Sequence, residues 1–313
     1  YCGAEKTAGP GIPQGTPRRK IFRKEGYSMI FDGHSDIFSD VRYKREAGET
    51  QVLKNHHLDR LRKGGIGGAC FVIWADTYNG HAPKDEMEAI VKGIKGEMAE
   101  TKEFVLIHNV EELKAAEAAG KFAILLGIEG LAGIGEDLSK IDELYDLGAR
   151  HAMLTWNEEN ALATGVKGDP NRGVTELGKQ AIKKLQEKKM ILDVSHINEK
   201  SFWDVIDLAT GPILASHSNA KALASAARNL TDDQLRAIRD TNGLVGLNAF
   251  GDFISDNKAE QDVDHLVNHA TYIADKIGVE HLGFGFDFFD FLDSDSMKSY
   301  SDQDDSRLKG MED

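Results

Sequence analysis

The chain is short of cysteine, of long apolar runs and of positive charge, and each shortage narrows what it can do. Only Cys2 and Cys70 occur in 313 residues, far apart, with Cys70 inside an apolar stretch. That argues against a disulfide framework or a thiolate metal site and suits a reducing, cytoplasmic compartment. No apolar run approaches the roughly 20 residues of a membrane span, and residues 1–28 lack the apolar core of a signal peptide. The 38 Lys and Arg residues stand against 52 Asp and Glu, a net charge of −14. Nucleic acid and anionic membranes are therefore poor partners, since both require a clustered basic surface. A small molecule is the expected partner.

What the chain has is alternation. Residues 1–28 are rich in Gly and Pro, then basic, and without periodicity, which predicts a disordered arm. From residue 29 short apolar runs cover 29–34, 67–74, 121–129, 149–156, 190–196, 212–217, 243–249 and 281–287. Between them the spacing predicts helices over 57–64, 83–102, 111–119, 138–147, 175–188, 199–209, 231–239 and 262–277. Gly120 and Gly148 sit where helices should stop, and Thr231 with Gln234 resembles a capping box. Strands alternating with helices predict an α/β fold, and eight apolar runs predict a (β/α)8 TIM barrel over 29–287. The two helices between the second and third runs read as one long connection, leaving seven for the barrel. The Asp- and Ser-rich stretch 288–313 reads as an acidic loop, so the final C-terminal helix is expected to be missing.

The apolar runs end on a consistent chemistry. His34 and Asp36 follow the first, Glu129 the third, His196 the fifth, His217 the sixth and Asp287 the eighth. Strand side chains alternate with period two, so a His and an Asp two apart at a strand end should point the same way. In a parallel barrel every strand's C-terminal end opens on one face, so all six side chains should converge there. Three imidazoles and three carboxylates without Cys suit Zn, Mn, Fe or Co and are too many for one tetrahedral ion. Two ions sharing a carboxylate is the economical arrangement. Glu129 is the natural bridge, in a flexible turn of Gly127, Ile128, Glu129 and Gly130. Two ions roughly 3.5–4 Å apart generate hydroxide and polarise a carbonyl, which is the equipment of hydrolysis. The histidines at 56, 57, 81, 108, 151, 265, 269 and 281 read as ordinary loop, helix or core residues, and Arg228 by itself reads as a surface charge.

Taken together, FDGHSD (31–36), GIEG (127–130), LDVSH (192–196), ASHSNA (215–220), ARNL (227–230) and GFGFD (283–287) closely resemble the membrane dipeptidase, or renal dipeptidase, family of zinc metallopeptidases, in its bacterial form. The resemblance spans residues 29–313. It implies a barrel of the metal-dependent hydrolase type and a metallo-dipeptidase holding two divalent ions, zinc first among the candidates. It assigns His34 and Asp36 to one ion, His196 and His217 to the other, and Glu129 to both. Asp287 matches the acid/base carboxylate, and Arg228 an arginine that holds the dipeptide's free carboxylate. The chain departs from the pattern at Trp156, where mammalian members carry a His that donates to the scissile carbonyl. The Trp156 indole, with Asn157 or Asn160, is left to supply that donor, so Trp156 and Asn157 are candidate substrate-binding residues. Members also continue past residue 313 and bacterial ones begin near Met29, which points to a gene fragment or misread start. Two alternatives stay open: a related two-metal amidohydrolase acting on another amide, ester or lactam, and an inactive barrel that metal merely stabilises. A homodimer also stays open.

Overall fold

The computed structural model describes residues 29–75 and 81–288. The arm expected over 1–28 and, beyond Phe288, the acidic loop lie outside the described residues. The strands are β1 (Ile30–Ser35), β2 (Ile66–Trp74), β3 (Phe104–Ile107), β4 (Phe122–Glu129), β5 (His151–Met153), β6 (Ile191–Asp193), β7 (Ile213–Ala215), β8 (Leu244–Leu247) and β9 (Leu282–Phe284). The helices are α1 (Ile37–Glu46), α2 (Leu58–Lys63), α3 (Pro83–Glu100), α4 (Val110–Ala118), α5 (Lys140–Leu147), α6 (Glu176–Glu187), α7 (Glu199–Leu208), α8 (Asp232–Asp240), α9 (Gly251–Ile254) and α10 (Val263–Ile277). Several start as their residues dictate. Asn109, Thr175, Asn198 and Asp262 each cap a helix through the side chain, and Thr231 with Gln234 forms the capping box.

The strands form two parallel arcs, ordered β1-β2-β4-β3 and β5-β6-β7-β8-β9. At one seam Arg150 N–H donates to Leu126 O at 2.9 Å and Leu131 N–H to Leu154 O at 3.2 Å. At the other, Phe286 N–H donates to the Asp32 carboxylate at 2.9 Å. Setting β3 aside, eight strands follow one another in chain order, the wall of a TIM-barrel-type α/β fold. Cys70, Val72 and Trp74 of β2 pack inside it with Leu125 and Trp156, while the larger apolar core lies between strands and helices.

Two elements depart from the sequence reading. β3 interrupts what had read as one long connection and pairs with the first half of β4, from Phe104 opposite Phe122 to Ile107 opposite Leu125. Four residues are too few for a periodicity argument to isolate. Helix α1 is hidden by its polar residues. It buries Phe38, which meets Phe71 edge-on at 5.4 Å, each such side chain contributing about 1.5–3 kcal/mol. It also buries Ser39, Asp40 and Arg42, which breaks the amphipathic pattern. Asp40 lies 2.7 Å from His57 Nε2, and Arg42 3.1 Å from Glu86.

The strands of the second arc are also shorter than the apolar runs. His196 lies three residues beyond β6, His217 two beyond β7 and Asp287 three beyond β9. Their positions are set by turns, not by strand alternation.

Candidate metal centre

The site grows from the C-terminal mouth of the barrel. Glu129 ends β4 and is buried, with its two oxygens facing different histidines. Oε1 lies 2.8 Å from His196 Nε2 and 3.7 Å from His217 Nε2, while Oε2 lies 3.5 Å from His34 Nε2. His34 Nε2 also lies 3.4 Å from Asp36 Oδ2 and 3.7 Å from Asp287 Oδ1. The His34 and His217 rings stack at 3.8 Å. All six run-terminal residues thus meet.

Asp36 reaches His34 by a route that alternation does not describe. The β1–β2 register shifts between Asp32 and Ser35, and Asp36 has already left the strand for the start of α1, with φ −89° and ψ 16°. A bulge and a helix entrance, not period two, aim the pair. Nor is Glu129 in a flexible turn: Gly127 to Glu129 belong to β4, and the turn begins at Gly130, with φ +80°. Gly127 is needed for close approach instead, since a Cβ there would come within 2.5 Å of His151 Nδ1 and 2.8 Å of Cys70 Sγ.

The donor set fits divalent cations. His34 Nδ1 and Nε2 and Asp36 Oδ1 are buried and find no hydrogen-bond partner among the described residues. His196 Nε2 and His217 Nε2 face each other at 2.7 Å, although each ring's Nδ1 is engaged elsewhere, with Asn157 Oδ1 at 2.9 Å and Ser216 Oγ at 2.7 Å. Two lone pairs so opposed call for a shared proton or cation. Donor atoms of His34, Glu129 and His217 lie within 4.8 Å of one another, as do those of His34, Asp36 and Asp287.

The sequence profile described as membrane dipeptidase, peptidase family M19, matches residues 21–302. The chain belongs to this family. It is 30% identical over 288 residues to an uncharacterized protein in the PQQ-III 3′ region of Acinetobacter calcoaceticus, covering 81% of this chain and 91% of that one. An uncharacterized dipeptidase of Schizosaccharomyces pombe is 28% identical, over 84% of this chain and 69% of that one. Among solved structures, a Rhodobacter sphaeroides metallopeptidase liganded with a phosphinate mimic of the dipeptide L-Ala-D-Ala superposes with a TM-score of 0.74. It is 26% identical, over 83% of this chain and 86% of that one. The protein is a metal-dependent peptide hydrolase of the dipeptidase family.

Around the dipeptidase centre, burial and charge set the protonation states. Burial opposes a charge on His34, yet Glu129 and Asp36 outweigh it and hold its pKa well above the ordinary value. Burial, with the charge of Asp36, pushes Glu129 well up. Burial, with Arg228 and His34 nearby, pushes His196 and His217 well down, which keeps both rings neutral, whereas His34 must give up its proton to bind a metal. Burial raises Asp287 to about 6 against the opposing charges of His34 and Arg228. Asp287 has φ +61°, a left-handed conformation that Asp tolerates better than most residues, and Asn248 Nδ2 donates to its Oδ2 at 3.0 Å.

Arg228 is 7% exposed, not a surface charge, and its NH2 donates to His217 O at 3.2 Å. Trp156 is half-buried, its ring 5.3 Å from that of Trp74 and 6.0 Å from His196. Asn157 turns its Oδ1 to His196, so its side chain serves that ring. Asn160 is absorbed by its own loop, donating to Leu154 O and Glu158 and accepting from Leu162 and Ala163 N–H.

Sequence reasoning passed over a buried pair beneath the centre. His151 Nε2 meets Asp193 Oδ2 at 2.7 Å. The signal was an imidazole inside an apolar run, which read as core. Burial opposes the charge on His151, but Cys70 and Asp193 raise its pKa to about 10. A folded pKa above the ordinary 6.5 gives stability that is complete below about pH 6.5 and is lost as pH rises through about 10. In urea titrations of metal-free protein, the stability difference between wild type and His151→Gln should therefore shrink over that interval. A difference independent of pH would contradict the charged pair.

Proposed function

We propose that the protein is a binuclear dipeptidase, most economically a zinc enzyme, with one catalytic domain over residues 29–287. His34 and Asp36 would hold one ion, His196 and His217 the other, and Glu129 both. The observation that carries this reading is the division of the Glu129 carboxylate, one oxygen toward His196 and His217 and the other toward His34. The free, buried thiol of Cys70 supports a reducing, cytoplasmic setting.

When bound, such ions lower the pKa of water and polarise a carbonyl. The chain's own groups do the rest. Arg228, buried and with its charge facing Asp287 and Glu129, offers a planar fork to the free carboxylate of a dipeptide. Asp287 takes the proton of the attacking water and returns it to the leaving nitrogen, which departs poorly as an anion. Asn248 holds Oδ2 of Asp287 and leaves Oδ1 toward His34 and the reacting centre. Trp74 and Trp156 form an apolar wall beside His196 that excludes water from one flank.

The test is a panel of L,L and L,D dipeptides and their C-terminal amides. Zinc-loaded protein should hydrolyse the free dipeptides, lose activity on chelation and regain it on zinc addition. The amides should be poor substrates. Arg228→Met should lower kcat/KM for free dipeptides by roughly 30- to 1,000-fold, the cost of an unpaired buried carboxylate, with little effect on the amides. Equal hydrolysis of amides would favour the broader amidohydrolase reading, and undiminished activity after chelation would refute the metal mechanism.

A further inference from the structure

Beneath the centre, Asp193, Ser195 and Ser216 form a chain of buried hydroxyl and carboxylate groups that ends on His217. Asp193 Oδ2 accepts from His151 Nε2 at 2.7 Å. Its Oδ1 accepts from Ser195 N–H at 2.9 Å, from the Ser195 hydroxyl at 2.8 Å and from Ser216 N–H at 3.2 Å. An ionised carboxylate can only accept, and the His151 contact, outweighing burial, holds the Asp193 pKa low.

That carboxylate constrains the directions of the remaining bonds. Ser195 has committed its one proton to Asp193, so at 3.3 Å from Ser216 Oγ it can only accept. It also accepts from His217 N–H at 3.2 Å, which fills its second lone pair. The Ser216 proton then has Ser195 Oγ or His217 Nδ1 as its acceptor, and a metal on His217 Nε2 selects Ser195. In that arrangement Ser216 Oγ, 2.7 Å from His217 Nδ1, accepts from the ring. His217 Nδ1 carries the proton, and Nε2 is left as a bare donor pair aimed at Glu129 and His196.

We propose that Asp193 is a positioning residue which, through Ser195 and Ser216, fixes the tautomer and orientation of His217 for metal binding, with His151 clamping the carboxylate from below. The inference rests on the reading of His217 as a metal ligand. His196 is served separately, through Asn157, so the relay acts on one histidine of the pair. His151 supports it, its Nε2 on Asp193 Oδ2 and its Nδ1 lying against Gly127 and the Cys70 thiol.

The experiment uses the zinc-loaded full chain with Asp193→Asn, Ser216→Ala and Ser216→Thr. Competition with a chromophoric chelator reads the two zinc dissociation constants, and long-range 1H–15N spectra of the imidazoles read the His217 Nδ1 proton. Asp193→Asn and Ser216→Ala should each weaken one zinc site by roughly 10- to 100-fold, the usual effect of losing a ligand's own partner, and leave the other unchanged. The Nδ1 proton should exchange faster with water in both. Ser216→Thr, which keeps the hydroxyl, should restore both readouts. If Asp193→Asn does not fold, the Ser216 pair carries the test alone. Unchanged zinc affinities, or an equal loss at both sites, would overturn the relay; wild-type protein that takes up no zinc would instead overturn the metal reading beneath it.

Discussion

Asp287→Asn is expected to lower kcat by roughly 10²- to 10⁴-fold, the range typical of a lost proton-transfer group, while zinc content and KM stay close to wild type. The substitution is chosen to leave the backbone alone. Residue 287 sits at φ +61°, a region that Asn occupies as readily as Asp. The amide oxygen can still accept from Asn248. Only the capacity to take up and return a proton disappears. Steady-state kinetics with metal analysis on the same samples would check this, and the acid limb of the pH–rate profile should vanish with the carboxylate. A variant with full zinc occupancy and wild-type kcat would assign the proton transfer to another group.

Glu129→Gln should do more damage by a different route. The two oxygens of this carboxylate face opposite sets of histidines, so neutralising it weakens the hold on both ions at once. Zinc uptake should fall below two per chain. Because bound ions supply several kcal/mol of transition-state stabilisation, kcat/KM should fall by on the order of 10³-fold or more. Excess zinc should recover part of the occupancy and part of the rate. Unchanged metal content would refute the bridging role. Shape is preserved in the swap, so circular dichroism should show the same fold in both proteins.

How far the site could be read in advance depended on whether a residue's role was local. The run-terminal residues were legible because in parallel strands the direction of the chain fixes which end faces the mouth. The finer argument for His34 and Asp36 foresaw their meeting by the wrong geometry, since a register shift and a helix start bring them together. Arg228 gave no local sign, because its burial is produced by residues distant in sequence, such as Phe253 beneath its guanidinium. His151 and Asp193 stand 42 residues apart, and each looks ordinary without the other. Helix α1 shows the same limit: Asp40 and Arg42 are polar residues in a core, paired with Lys44 and Glu46 of the helix and with His57 and Glu86, which arrive from later elements. Pattern reading registers polarity and spacing, and it cannot see a compensating partner across the fold.

The two arcs give the cluster a second significance. His34, Asp36 and Glu129 come from the first arc, and His196, His217 and Asp287 belong to the second, each arc being a continuous half of the chain. Among the described residues, backbone bonds such as Arg150 N–H to Leu126 O cross the seams between them. An ion held by Glu129 with His196 and His217 would tie the two arcs together at their mouth, in addition to the apolar core they share. Its binding and the stability of the seam would then be linked. A chelator would then act on this fold as a mild denaturant, lowering its stability by the free energy with which the ion had joined the two arcs.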